Sequence, residues 1–148
     1  FDCHATNSNV GAVVAMRPNA AGRPTYINMT NTFVSNCTGR QYTGSVMAFR
    51  DLGSGKSSYL YFDSGVIQRC SATNGGVCFF LGTGAFNNSL VSDCTAASVA
   101  GFMVSTGGDL ILGNVTARRL TSTTSDGGFA SMGRSGTGLI IEACRAEF

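Results

Sequence analysis

The most reactive side chains here are six cysteines, Cys3, Cys37, Cys70, Cys78, Cys94 and Cys144. Thiols can ligate zinc, attack as nucleophiles or close disulfides. The spacing argues against zinc, because no Cys-x-x-Cys pair occurs and the one histidine, His4, has no obvious partner. An even number of cysteines in 148 residues is high for a cytosolic domain and reads as a secreted or cell-surface chain. Acid–base cleavage of a polysaccharide would need clustered carboxylates. The eight acids are Asp2, Asp51, Asp63, Asp93, Asp109, Asp126, Glu142 and Glu147. Only Asp2 and Asp93 share a position in the repeat described below, so no row of acids is expected. The run Gly53-Ser54-Gly55-Lys56-Ser57 holds a Gly-Lys-Ser but lacks the spacing glycine of a phosphate loop, and it reads as a turn. No catalytic residue, metal site or cofactor is assigned. Four Asn-x-Ser/Thr sequons, at Asn28, Asn36, Asn87 and Asn114, are candidates for N-glycosylation.

The elements that carry these residues follow from composition and repetition. Glycine is 20 of 148 residues, charged residues are 12%, and Lys56 is the sole lysine, so the usual helix formers are scarce. Hydrophobic residues reach 43%, with 10 Phe, which is enough to bury a core and argues against disorder. A net charge of +2 gives no strong field for a nucleic acid. No apolar run approaches the ~20 residues of a membrane span.

A small residue followed by a large apolar one recurs at Gly11-Ala12-Val13, Gly44-Ser45-Val46, Gly75-Gly76-Val77, Ala100-Gly101-Phe102 and Gly127-Gly128-Phe129. Each opens a short apolar strand. Seven to ten residues earlier stands Cys3, Cys37, Cys70, Cys94 or, in their place, Leu120, and Cys144 opens a sixth, unfinished turn. An aliphatic residue, Val34, Ile67, Val91 or Ile141, precedes most of the cysteines by three. A second apolar run lies between, as in Tyr26-Ile27, Leu60-Tyr61-Phe62, Leu110-Ile111-Leu112 and Leu139-Ile140-Ile141. Three short strands in about 24 residues make one coil of a parallel β-helix. The expected fold is therefore all-β: one domain over residues 1–148, a single-stranded parallel β-helix of five to six coils without end caps.

Stacked coils place equivalent residues in columns about 4.8 Å apart. Cys3, Cys37, Cys70 and Cys94 should form an inward column, with disulfides or free thiols along it, while Cys78 lies off it on the glycine-led strand. Cys144, above Leu120, would then meet Cys3 of a following copy. The residues before these positions, Asp2, Asn36, Arg69, Asp93, Arg119 and Ala143, should form an outward column in which Arg69, Asp93 and Arg119 alternate in sign. Two coils are longer, and their extra residues fall at 17–24 and 51–58. These insertions share one place in the coil and, with the adjoining Arg50, present Arg17, Arg23 and Lys56 as a candidate binding surface.

Phe33-Val34-Ser35-Asn36 followed by Gly44-Ser45-Val46 resembles the Phe-x-x-Asn and Gly-Gly-apolar repeats of polymorphic outer-membrane proteins. Gly75-Gly76-Val77 and Gly127-Gly128-Phe129 resemble the second half of that repeat. The resemblance implies a right-handed parallel β-helix on a cell surface, of the autotransporter type, with adhesive or structural roles, and it carries no catalytic residue.

The functional expectation is a non-enzymatic extracellular module that stacks end to end into a filament or surface assembly. Its partner would be a further copy of itself or the adjoining β-helix of a longer chain. The alternative is a polysaccharide-binding or polysaccharide-degrading β-helix, with glycans as partners. Neither reading calls for a nucleic acid or a membrane span. The scarcity of lysine fits assembly, because edge lysines commonly block strand-to-strand association.

Overall fold

In a computed structural model the described residues are 3–5, 13–16, 26–39, 47–49, 59–72, 78–80, 83–97, 103–105, 109–123, 130–132 and 139–147. Alternating burial marks the strands: Tyr59–Asp63 runs exposed, buried, exposed, buried, half-buried. The first coil comprises β1 (Cys3–Ala5), β2 (Val14–Met16), β3 (Tyr26–Thr30) and β4 (Phe33–Ser35). The second comprises β5 (Cys37–Gly39), β6 (Met47–Phe49), β7 (Tyr59–Asp63) and β8 (Val66–Gln68). The third has β9 (Ser71–Ala72), β10 (Cys78–Phe80), β11 (Thr83–Asn87) and β12 (Leu90–Ser92). The fourth has β13 (Thr95–Ala96), β14 (Met103–Ser105), β15 (Leu110–Gly113) and β16 (Thr116–Arg118). The fifth has β17 (Thr121–Ser122), β18 (Ala130–Met132), β19 (Leu139–Glu142) and β20 (Arg145–Glu147).

Equivalent strands of successive coils pair in parallel, giving four five-stranded sheets. This is a parallel β-helix. The run from the aliphatic residue to the cysteine bends at one residue, such as Asn36, and so contributes to two sheets. The glycine-led strands align as the repeat requires, with Val14, Met47, Cys78, Met103 and Ala130 in one register.

Two corners of the coil use left-handed backbone, the first seen in five coils and the second in four among the described residues. At the first, φ is positive for Asn31, Ser64, Asn88, Asn114 and Ala143; at the second, for Asn36, Arg69, Asp93 and Arg119. Asn and Asp tolerate this region better than other residues with side chains. Each corner amide except that of Ala143, in the last coil, bonds the coil above, as Asn88 N donates to the Gly113 carbonyl at 2.9 Å and Asp93 N to the Arg118 carbonyl at 3.0 Å. The hydrogen-bond ladder thus continues around the bends, where these corner amides find their partners.

The core fills the tube. Leu60, Phe62, Phe86, Leu110 and Leu112 point inward from the third strand of their coils, and Val34, Ile67, Val91 and Ala117 from the fourth. Phe62 and Phe86 meet at 5.6 Å with rings tilted by 40°.

The fifth coil corrects the expected register. Ile140 pairs with Ile111, a step of 29 residues, and Arg145 pairs with Thr116. Cys144 therefore stands above Val115, not above Leu120, and belongs to the fifth coil rather than opening a sixth. Ala143 belongs to the first corner, not to the charged column, and Ile141 stacks on Leu112 rather than on Ala117. The cause is local. The corner accepts Thr32, Gly65, Ser89, Val115 or Cys144, so a cysteine there marks no fixed rung.

Candidate functional surfaces

Three surfaces combine chemistry with a defined place in the fold. The first is the thiol column. Cys3 pairs in register with Cys37, and Cys37, Cys70 and Cys94 follow on successive coils, all three fully buried. Leu120 continues the column. Cys70, Cys78, Cys94 and Cys144 are free thiols. Cys70 and Cys94 each donate to the carbonyl two residues back, at 3.3 Å. Cys70 is the more acidic of these two, drawn down to about 7 chiefly by its hydrogen bond with Cys94, with burial opposing and Arg69 helping. The same bond, together with burial, pushes Cys94 up, and burial pushes Cys78 up. Both thiols therefore stay protonated near neutrality and pack as small apolar groups. Cys144 is half-buried and donates to the Glu142 carbonyl at 3.3 Å. Because it stands off the thiol column, an end-to-end Cys144–Cys3 link loses the stacked geometry that suggested it.

The second surface is the charged corner. Arg69 Nε donates to Asn36 Oδ1 at 2.7 Å, and its Nη2 to Ser35 Oγ at 2.8 Å. Asp93 and Arg119 pair on the next coils. Arg118 and Arg145 both approach Glu147, at 2.9 and 2.8 Å. A polar column missed in the sequence reading runs along the other corner. There Asn114 Nδ2 donates to Asn88 Oδ1, and Asn88 Nδ2 to Asp63 Oδ1, both at 3.0 Å. The signal was present: Asn31, Ser64, Asn88 and Asn114 each follow the last inward apolar residue of the third strand, Met29, Phe62, Phe86 or Leu112, by two. Asp63 is thereby committed to the corner, and Asp109 stands in another column beside Thr83. Among the described residues no group of three or more His, Cys, Asp or Glu is placed to hold a metal ion.

The third surface is an apolar groove on the outer face of β3, β7 and β11. Its volume is about 410 Å³, and Tyr26, Asn28, Tyr59, Tyr61, Thr83 and Ala85 face it. The Tyr26 and Tyr59 rings stack at 5.0 Å and 8°. Tyr26 is 70% exposed, far above what a core aromatic shows. Asn28, Tyr61 and Ala85 form the neighbouring column, so the groove opens where the small Ala85 succeeds a tyrosine. The sequon asparagines fall in different settings. Asn28 is exposed on a strand, Asn36 and Asn114 sit at corners, and Asn87 lies against Gly113, where an added Cβ would come within 2.5 Å of its Oδ1. Arg17, Arg23, Arg50 and Lys56 lie outside the described residues. Comparison with protein-family models, curated proteins and solved structures returns no match.

Proposed function

We propose that the chain is a non-enzymatic extracellular structural or adhesive β-helix module whose ends are continued by further coils, from a second copy or from an adjoining β-helix. Uncovered core at the terminal coils carries this reading. Ile141 stacks on fully buried Leu112 in the inward column, yet it is 52% exposed. Ala146 is exposed, whereas Ala117 beneath it is buried. At the other end Ile27 and Met29 are half-buried, while Leu60 and Phe62 above them are buried. A copy added in register would set Met29 over Ile141 and Val34 over Ala146, closing apolar surface that otherwise faces water. It would also pair the open strand edges. Such contact is head-to-tail and does not close on itself, so it generates rods. The resemblance to polymorphic outer-membrane repeats supports the same surface-exposed setting.

Electron microscopy of the concentrated purified chain tests the reading. Rods of varied length, in steps of roughly 24 Å for five coils at ~4.8 Å each, are expected. Particles of one uniform five-coil length would overturn stacking between copies.

A further inference from the structure

We propose that Asn28 is the glycan-bearing sequon of this chain and that the tyrosine groove seats the first sugars of that glycan. The inference rests on the extracellular reading above. The four sequons differ in what their carboxamides already do. Asn114 Nδ2, the atom a glycan would take, is donated to Asn88. The Asn36 carboxamide is held by Arg69. Asn87 is half-buried against Gly113. Asn28 alone stands exposed in mid-strand, with its carboxamide tied to no described residue.

The surroundings of Asn28 fit a sugar. Tyr26, Asn28 and Thr30 share the outer face of β3, because alternate residues of a strand point the same way. Thr30 completes the sequon on that face. Tyr61 is the next residue in the Asn28 column, and beyond it Ala85 leaves the groove open. A pyranose linked to Nδ2 and directed along the column passes over Tyr61 towards Ala85. Its C–H face would meet aromatic surface and its hydroxyls would meet the tyrosine phenols, Thr83 and water. Attachment is a group transfer from a lipid-pyrophosphate-linked oligosaccharide. Nδ2 attacks the sugar C1, the N–C1 bond forms, and the C1–O bond to pyrophosphate breaks. The lipid pyrophosphate leaves with the electron pair, and Nδ2 gives up one proton.

The chain is produced through a eukaryotic secretory pathway behind a cleavable leader, and occupancy is read by glycopeptide mass spectrometry. Near-complete occupancy at Asn28, lost in Asn28→Gln, is expected, with little or none at Asn114. Three of the chain's four tyrosines line the groove and tryptophan is absent. Enzymatic removal of the glycan should therefore shift tyrosine emission and lower Tm in the native sequence, with a smaller change in Tyr61→Ala. A folded, secreted chain unmodified at Asn28 overturns the proposal. So does equal emission before and after glycan removal, or retention of the sugar-free chain on a free polysaccharide through the same tyrosines. If Tyr61→Ala fails to fold, occupancy and emission of the native sequence decide alone. Occupancy is read on single chains, so a failure to stack leaves it standing. Surface labelling of the natural protein tests the extracellular reading separately.

Discussion

Asp93 and Arg119, one coil apart, form a two-pronged ion pair: Nε donates to Oδ1 at 2.5 Å and Nη2 to Oδ2 at 2.9 Å. Both residues occupy the left-handed second corner, which points their side chains out of the tube in one column. Hydrogen bonding from Arg119 holds the Asp93 carboxyl below its ordinary value, with burial opposing slightly and Ser92 assisting. A folded-state value below the unfolded one adds stability that is full above pH ~4 and is lost as acid protonates the folded carboxylate. Asp93→Asn should therefore remove part of the loss of Tm between neutral pH and strong acid. The pair is exposed, so the effect is small and fades in high salt. Thermal melts of both proteins across that range measure it; identical acid slopes would show that the pair adds nothing.

Phe86 packs against Phe62 at the centre of the tube, and both are fully buried. Phe86→Ala leaves a cavity that neighbouring coils cannot fill by collapsing, because the hydrogen-bond ladders fix their spacing. A loss of about 3–5 kcal/mol in denaturant unfolding is expected.

Two glycines separate close packing from flexible crowding. A Cβ on Gly65 would lie 2.6 Å from Phe62 Cε1 and 2.8 Å from the Thr32 carbonyl oxygen, and neither neighbour can retreat. On Gly113 it would meet only the movable carboxamide end of Asn87. Gly65→Ala should cost roughly 1–3 kcal/mol, clearly more than Gly113→Ala. Chemical denaturation of the two variants side by side checks the order.

Thiol labelling reads the register of the fifth coil. Cys37, Cys70, Cys78 and Cys94 are fully buried, and Cys144 is not. Of these five, Cys144 should react first with a maleimide under native conditions, and the other four only on unfolding. Early modification of Cys94 would contradict the stacked thiol column.

The legible part of the fold was whatever repeats with the strand itself. Glycine ahead of Val46, Val77 and Phe129 gave the second strand of each coil, because a tight entry followed by a branched or aromatic residue has few alternatives. Leu120 could be placed on the thiol column because Arg119 before it continues the charged corner. The fifth coil takes its register from Leu139-Ile140-Ile141, which matches Leu110-Ile111-Leu112 residue for residue, and not from Cys144. Three aliphatic residues constrain register more than one small thiol, since a corner admits Gly65 or Ser89 as readily as Cys144. The tyrosine groove was hidden for another reason. Tyr26, Tyr59 and Tyr61 lie up to 35 residues apart and meet only after the coils stack.

End-on association is the claim on which the functional reading stands, and Ile141 tests it most directly. Sedimentation velocity of the native sequence and of Ile141→Asp, over a hundredfold range of concentration, should show rods that lengthen with concentration for the first and monomer throughout for the second. A native chain that stays monomeric over the whole range, sedimenting like Ile141→Asp, would contradict the account.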